Sequence, residues 1–258
     1  MSRGVARRRA PSRGVHMLRS AAVIDRLVRS AGVGAGDQVI DLGAGPGALT
    51  AALAATGAQV TAVEIDEAFV RALRRRFAGR PSVRVVRGSL LEVAVPRSAK
   101  VVANIPFGTS SAVVARLLNP GGRLRVGADL VVEHGFALRA RAPVPRSAEA
   151  AWRAARYELA IVRRIPRTSF GPPPRVDAAH LRIRPREPLG PEAEEWLRTL
   201  IEVAYDGRGR SALSVARRVV GPACARRVLS TATVGAPTPA ADVPAKVWGQ
   251  MARARAES

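Results

Sequence analysis

Cysteine and histidine are scarce in this sequence. Cys224 is the one cysteine among 258 residues, and there are three histidines, His16, His134 and His180. A single cysteine excludes an internal disulfide and any zinc or iron–sulfur site built from several cysteines. Three scattered histidines do not resemble a metal-binding motif either. We therefore expect a protein that uses no metal.

Long uncharged apolar runs are also missing. No stretch approaches the roughly 18 residues that a membrane-spanning helix needs. The arginine-rich N-terminus lacks the apolar segment of a secretory signal peptide. Apolar residues nevertheless make up 47% of the chain, enough for a sizeable core. We expect a folded cytoplasmic protein without membrane contact.

Acidic residues are few relative to basic ones. The chain has 20 Asp and Glu against 42 Lys and Arg, a formal charge of +22. Only Lys100 and Lys246 are lysines, so part of the arginine content reflects compositional bias. Such bias does not explain the shortage of acids. Because a large positive surplus favours phosphate backbones, we expect a nucleic-acid partner in preference to an anionic membrane surface.

Three segments are predicted along the chain. Residues 1–14 contain five arginines and no acid, which is typical of a disordered basic arm. Residues 15–186 alternate strand and helix patterns, which predicts an α/β, Rossmann-like domain with a parallel sheet covered on both faces. Residues 187–258 show only helical patterns and predict a small all-helical C-terminal domain. The predicted strands are 38–42, 59–64, 83–86, 99–103, 129–133, 156–165 and 178–183, and the predicted helices are 18–33, 48–55, 67–77, 192–204, 211–220 and 243–254.

A glycine-rich turn, D-L-G-A-G-P-G at 41–47, joins the first predicted core strand to a helix. Glycines permit a tight turn and let backbone N–H groups approach a ligand, although an ordinary strand–helix turn uses them too. The G-x-G-x-G spacing differs from the pyrophosphate-binding pattern, and Pro46 removes one amide. Glu64 ends the next strand, where a carboxylate can accept both ribose hydroxyls. Gly43, Gly45 and Glu64 therefore favour S-adenosylmethionine over NAD.

The tetrapeptide Asn104-Ile105-Pro106-Phe107 follows the strand predicted at 99–103. Ligands bind beyond the carboxyl ends of strands in an open parallel sheet, so this segment faces the same crevice as Glu64. The exocyclic amine of adenine is a poor nucleophile because its lone pair is delocalised into the ring. The side chain of Asn104 and the carbonyl of Pro106 can accept its two protons, and Phe107 can stack on a base rotated out of its helix. A plain turn with a core phenylalanine is the alternative.

Together these motifs resemble the Erm and KsgA family of rRNA adenine N6-methyltransferases. The resemblance spans about residues 15–185 and includes the glycine turn, V-E-I-D at 63–66, N-I-P-F at 104–107, V-E-H-G-F at 132–136 and F-G-P-P-P-R-V-D at 170–177. It implies methyl transfer from S-adenosylmethionine to N6 of an rRNA adenine, with Phe170 on the opposite side of the target base from Phe107. It also implies cofactor contacts from His16, Leu18, Ile65, Ser89 and Asn104.

The sequence departs from the family pattern at three places. V-H-M-L at 15–18 replaces Q-[NH]-F-L, and Gly171 replaces a histidine. Ser89 stands where the family has an aspartate that binds the cofactor's adenine amine. Because charge-assisted hydrogen bonds are roughly twice as strong as neutral ones, weaker cofactor binding is expected.

Within the family, Ile105, Phe107 and the basic N-terminus favour the Erm branch, which methylates 23S rRNA and confers macrolide–lincosamide–streptogramin resistance. The KsgA branch, which acts on 16S rRNA and more often has N-L-P-Y, is the alternative. A non-catalytic RNA-binding assembly factor with the same fold is a third interpretation, suggested by Val15 and Ser89. We expect a monomer that contacts rRNA through a basic surface beside the crevice, formed by part of the twelve arginines between 139 and 186.

Overall fold

The computed structural model describes residues 16–118 and 124–258, so the predicted basic arm at 1–14 lies outside the described residues. The strands are β1 (Met17–Leu18), β2 (Gln38–Leu42), β3 (Gln59–Glu64), β4 (Val83–Arg87), β5 (Lys100–Asn104), β6 (Ala128–Glu133), β7 (Tyr157–Ile165), β8 (Phe170–Gly171) and β9 (Ala178–Pro185). The helices are α1 (Ala21–Ala31), α2 (Ala48–Ala54), α3 (Glu67–Arg76), α4 (Ser110–Leu118), α5 (His134–Ala140), α6 (Ala148–Arg156), α7 (Pro191–Ala204), α8 (Ala212–Val220), α9 (Pro222–Thr231) and α10 (Ala245–Ala256).

Seven strands form one sheet in the order β4-β3-β2-β5-β6-β9-β7. The pairs from β4 to β6 are parallel, whereas β9 is antiparallel to both β6 and β7. The prediction of a parallel sheet is therefore right for five strands and wrong for the last two. Parallel neighbours need a crossover, usually a helix. The segment between β7 and β9 instead forms a 3₁₀ turn and β8, and β8 pairs with β1.

Both faces of the sheet are covered, as the sequence predicts. Alternate residues along a strand point to opposite faces. In β2, Ile40 packs in a cluster with Val113 and Leu117 of α4, whereas Val39 packs in another cluster with Leu27 of α1 and Leu53 of α2. Because β2 is parallel to both β3 and β5, the carboxyl ends of these three strands meet at one edge of the sheet.

Several elements are not predicted from the sequence, namely α4, α5, α6, α9 and the pair β1 and β8. The first helix also begins later than predicted, since Met17 and Leu18 are extended and Ser20 caps α1. Pairing between β1 and β8 joins segments more than 150 residues apart. Local periodicity carries no information about such a partner.

A third apolar cluster lies among the C-terminal helices, around the fully buried Trp248 and Met251 of α10. Leu197 of α7 and Val215 of α8 belong to the same cluster. So does Trp152 of α6, a helix that precedes β7 in the chain. No helix in the described part of the chain is long and apolar enough to cross a membrane.

A buried ionic cluster ties α1 to the middle of the sheet. Asp129 of β6 accepts hydrogen bonds from Oγ of Ser30 at 2.9 Å, from Nε2 of His180 at 2.7 Å and from Nη2 of Arg184 at 2.6 Å. Burial acts to raise the pKa of Asp129, but the hydrogen bonds from His180 and Arg184 outweigh it and hold that pKa below its ordinary value. His180 thus has a structural role.

Candidate active site

The glycine turn lies between β2 and α2, and its three glycines, Gly43, Gly45 and Gly47, all have positive φ. Gly47 has a φ of +83°, and a Cβ there would lie 2.6 Å from Cδ2 of Leu73 and 3.0 Å from the ring of Phe77. Gly47 therefore allows α3 to pack against the turn. Gly45 has a φ of +53°, and a Cβ there would meet no atom within 4 Å. One side of the turn is thus open for a ligand. Gly43 faces the neighbouring strand end, since a Cβ there would lie 3.9 Å from the carbonyl oxygen of Asn104.

Glu64, the last residue of β3, binds the glycine turn through its side-chain carboxylate. Its buried carboxylate accepts the N–H groups of Gly45 at 2.8 Å, Ile65 at 2.8 Å and Asp66 at 2.9 Å. A carboxylate offers about four acceptor positions. Three are used here, so accepting both ribose hydroxyls would require one of these amide bonds to be exchanged. Asp66 itself caps α3 by accepting the N–H groups of Ala68 and Phe69.

Two further predicted cofactor residues lie at the same edge of the sheet. Ile65 directly follows β3 and is 65% exposed, an unusual position for isoleucine and one that suits contact with a flat base. Ser89 lies beyond β4, where its Oγ accepts the N–H of Leu91 at 3.1 Å. Because the N–H of Gly88 also bonds to the carbonyl of Glu64, Ser89 stays beside the end of β3.

Asp41, immediately before the turn, is fully buried in β2 and accepts a 2.7 Å hydrogen bond from Oγ1 of Thr50 in α2. Burial raises the pKa of Asp41 to about 7, and the nearby charge of Glu64 acts in the same direction. The bond to Thr50 joins the two elements that flank the turn. The sequence pattern includes Asp41 but gives no sign of this role.

Asn104 is the last residue of β5, and only one of the two polar atoms of its side-chain amide forms a hydrogen bond. Its Nδ2 donates a 2.9 Å hydrogen bond to the carbonyl of His16, while its buried Oδ1 has no partner. The N–H of Ile105 donates to the carbonyl of Val131, and the carbonyl of Ile105 accepts no hydrogen bond from the described residues. Since an unpaired buried acceptor is costly, the two oxygens are suited to receive donors from a substrate.

The carbonyl of Pro106, predicted from the sequence as the second acceptor, is already engaged. It accepts both the N–H and the Oγ1 of Thr109, each at 2.9 Å. These bonds use both lone pairs of the oxygen. The structure thus disagrees with that assignment and favours the carbonyl of Ile105. The 3₁₀ turn Phe107–Thr109 is the cause, and no sequence pattern predicts it.

Three rings meet beside Asn104. The centroids of Phe107 and Phe170 are 6.2 Å apart with an interplanar angle of 78°, and the His16 ring is centred 5.6 Å from that of Phe107. Phe170 is buried, whereas Phe107 is partly exposed. The direct edge contact leaves no gap for a base, so the two rings must separate before a base can lie between them.

The strands β1 and β8 bring the N-terminal residues to this site. Leu18 pairs with Phe170 and packs its side chain into the core, which leaves only its backbone near the crevice. Nδ1 of His16 donates to the carbonyl of Pro172 at 3.0 Å. The ring of His16 therefore contacts Phe107 and the segment after β8.

A basic cavity of about 480 Å³ lies at the carboxyl end of β6. Its lining residues are Glu133, His134, Gly135, Arg164, Arg167, Arg175, Val176 and Asp177. Asp177 accepts the N–H of Arg167 at 2.9 Å and Nε of Arg164 at 2.7 Å, and these bonds hold the pKa of Asp177 below its ordinary value. The cavity belongs to the arginine-rich segment that the sequence predicts to face RNA. Within the described residues, no group of three or more His, Cys, Asp or Glu could hold a metal ion.

Comparisons with known proteins agree with this geometry. The family model for ribosomal RNA adenine dimethylase matches residues 7–256. "Ribosomal RNA small subunit methyltransferase A" of Moorella thermoacetica is 34% identical over 79% of this chain and 77% of its own length. "rRNA adenine N-6-methyltransferase" of Bacillus licheniformis is 34% identical over 66% of this chain and 60% of its own length.

A solved structure gives the same result for the fold. The crystal structure of 23S rRNA methyltransferase ErmE is 28% identical and superposes with a TM-score of 0.79, covering 94% of this chain and all of that one. The C-terminal helices are included in this match, which extends the agreement beyond the sheet. The chain belongs to the ribosomal RNA adenine dimethylase family, whose members are S-adenosylmethionine-dependent methyltransferases.

Proposed function

We propose that this protein methylates N6 of an adenine in 23S rRNA and thereby confers macrolide–lincosamide–streptogramin resistance. Methylation of an rRNA adenine follows from the family, and the choice of 23S rRNA is the proposal. The similarity to ErmE over 94% of the chain and the N-I-P-F motif support it. The observation that carries the reaction is the buried, unpartnered Oδ1 of Asn104 beside the glycine turn.

The residues at the carboxyl edge fit S-adenosylmethionine. The open side of Gly45, the carboxylate of Glu64 and the exposed Ile65 can hold its nucleoside part, and Ser89 adjoins them. Gly43 lies between this region and Asn104. The cofactor, when bound, supplies an electrophilic methyl group on a sulfonium.

The proposed substrate is an adenine whose amine lies against Asn104. Oδ1 of Asn104 and the carbonyl of Ile105 accept the two N6 protons, which localises the nitrogen lone pair and directs it towards the methyl group. The carbonyl of His16 holds Nδ2 of Asn104, so the amide keeps its oxygen towards the substrate. The N6–methyl bond forms as the methyl–sulfur bond breaks, and one N6 proton leaves to solvent.

The base itself is held by aromatic rings in this proposal. Phe107 and Phe170 stack on its two faces once the two rings have separated. The arginines of the cavity near Asp177 contact the RNA backbone, and the helical domain at 187–258 adds further RNA contacts beside the catalytic domain at 15–186. The protein acts as a cytoplasmic monomer.

The test is transfer of labelled methyl groups to purified 23S and 16S rRNA, with Asn104→Ala as the inactive control. Incorporation into 23S rRNA, together with erythromycin resistance in a sensitive host that expresses the wild type and not Asn104→Ala, would support the proposal. Incorporation into 16S rRNA alone would overturn the choice of 23S. Incorporation into neither RNA would favour the non-catalytic assembly factor.

Modification of 16S rRNA is the second candidate, and one comparison favours it. The relative from Moorella thermoacetica, matched over 79% of this chain, has a small-subunit name. Sequencing the methylated RNA distinguishes the two candidates, because a 16S enzyme leaves drug sensitivity unchanged while labelling the small-subunit RNA.

A further inference from the structure

Arg19 lies at the end of β1, one residue beyond the pairing of Leu18 with Phe170. Its N–H donates to the carbonyl of Ser169 at 2.9 Å, which continues the contact between the two strands. Successive side chains of a strand point to opposite faces. Leu18 and Phe170 face the core, so Met17, Arg19 and Gly171 lie on the outer face of this two-stranded ribbon.

The guanidinium of Arg19 lies directly over the backbone of Gly171. A Cβ on Gly171 would overlap Nε and Cζ of Arg19 and would lie 2.6 Å from its Cδ. Gly171 is not among the glycines with positive φ, so its backbone conformation does not require glycine. A side chain at position 171 would instead displace the guanidinium of Arg19 from its place over the ribbon.

The charge of Arg19 is uncompensated. Its exposed side chain has no hydrogen bond, ion pair or ring contact with the described residues. Two arginines of the sheet, by contrast, are paired, Arg164 with Asp177 and Arg184 with Asp129. An unpaired guanidinium can bind an anion through several donors.

We propose that Arg19 binds a backbone phosphate of the RNA next to the target adenine, and that Gly171 keeps the place of its guanidinium open. The proposal rests on rRNA as the substrate. A base turned out of its stack leaves its own phosphates outside the pocket. Phe170 is on the inner face of the ribbon and Arg19 on the outer face, and the pairing of Leu18 with Phe170 brings them near enough for one nucleotide to contact both. Such a contact positions the strand and carries no base specificity.

The test compares Arg19→Ala, Arg19→Lys and Gly171→Ala with the wild type and with Arg80→Ala. Arg80 is an exposed arginine before β4, at the opposite edge of the sheet, and serves as the matched control. RNA affinity is measured from 50 to 200 mM salt on the transcript that accepts methyl groups. S-adenosylmethionine affinity and thermal stability are measured on the same samples.

Loss of one phosphate contact lowers the slope of log affinity against log salt by about 0.7 to 0.9, which is roughly a five- to eightfold loss of affinity at 0.1 M salt. We expect this for Arg19→Ala but not for Arg80→Ala, with Arg19→Lys retaining most of the slope. Gly171→Ala should weaken RNA binding in the wild type and have no further effect in the Arg19→Ala background. Cofactor affinity should stay unchanged in every variant.

Equal losses in Arg19→Ala and Arg80→Ala, or no loss in either, would overturn the proposal while leaving rRNA methylation intact. A fall in cofactor affinity parallel to the fall in RNA affinity would also overturn it, because the effect would then come from distortion of the ribbon. If the wild type methylates neither 23S nor 16S rRNA, the proposed function fails together with this inference.

Discussion

Nδ2 of Asn104 donates a 2.9 Å hydrogen bond to the carbonyl of His16, 88 residues earlier in the chain. This contact fixes the orientation of the amide and leaves Oδ1 of Asn104 buried without a partner. The β1–β8 ribbon holds His16 in place. Orientation of the proposed catalytic group therefore depends on a backbone carbonyl.

Replacing Asn104 by Asp should nearly abolish methyl transfer. An ionised carboxylate would face the carbonyl of His16, so the side chain would rotate away from the position that holds the amine. Misplacement of about 1 Å can cost on the order of 10²-fold in rate. Single-turnover methylation with saturating cofactor measures the effect. A rate within threefold of wild type for Asn104→Asp would contradict the assigned role.

Phe107→Ala and Phe170→Ala should differ in their effects. Phe107 is partly exposed, so its truncation should mainly weaken RNA binding, by about 1–3 kcal/mol for one stacked base. Phe170 is buried with Leu18, and its truncation should cost about 3–5 kcal/mol of folding stability as well. KM for RNA and urea unfolding separate the two effects.

Phe107→Tyr is the conservative control, since it keeps the aromatic face and should retain near-normal KM. If Phe107→Ala has a normal KM, the base does not stack on this ring.

Ser89→Asp should tighten binding of S-adenosylmethionine. An aspartate can still accept the N–H of Leu91 with one oxygen and offer a charged second oxygen to an adenine amine. Isothermal titration of cofactor to wild type, Ser89→Asp and Ser89→Ala measures the change. Micromolar affinity in the wild type without gain in Ser89→Asp would show that Ser89 does not limit binding.

Asp41→Asn should make stability less dependent on pH. The pKa of Asp41 is raised from 3.8 to about 7 in the fold, so folding favours its neutral form. Its contribution to stability is complete below pH 3.8 and is lost as the pH rises through about 7. The stability of the variant relative to wild type should therefore increase between pH 4 and pH 8, on the order of a few kcal/mol.

Urea unfolding at several pH values measures this change, with Asp25→Asn on the exposed face of α1 as control. If the stability difference between Asp41→Asn and wild type is the same at pH 4 and at pH 8, the pKa of Asp41 is not raised in the fold.

Asp129→Asn should destabilise the fold at neutral pH. The change leaves Arg184 and the buried His180 without their carboxylate, and breaking a buried pair costs about 3–5 kcal/mol. Because the pKa of Asp129 is below its ordinary 3.8, its contribution is present above that value and is lost as the pH falls through the folded pKa. The difference in the free energy of unfolding between wild type and Asp129→Asn should therefore become smaller as the pH is lowered below 3.8.

Ser30→Ala removes only one hydrogen bond to Asp129 and should cost about 1 kcal/mol. Equal effects of Ser30→Ala and Asp129→Asn at neutral pH would show that the ionic cluster adds nothing beyond that bond.

The local chemistry of the site could be predicted from the sequence. Gly45 follows a buried strand, whereas Glu64 and Asn104 each end one, and because parallel strands end at a common edge the sequence was enough to place them together. The capping of α3 by Asp66 is likewise local, because the residues that it caps are its immediate neighbours.

Only the tertiary structure decided which atoms at this edge of the sheet remain free to bind a ligand. The engagement of Pro106 by Thr109, the contact of Phe107 with Phe170 and the position of Arg19 over Gly171 all depend on turns or on pairing across more than 60 residues. Residue types and spacing specify which groups reach the crevice, because strand alternation and turn chemistry are local. The pairing of Nδ2 of Asn104 with His16 and the place of Arg19 over Gly171 depend on distant segments meeting, which no local pattern records, and the engagement of Pro106 depends on a 3₁₀ turn that no sequence pattern predicts.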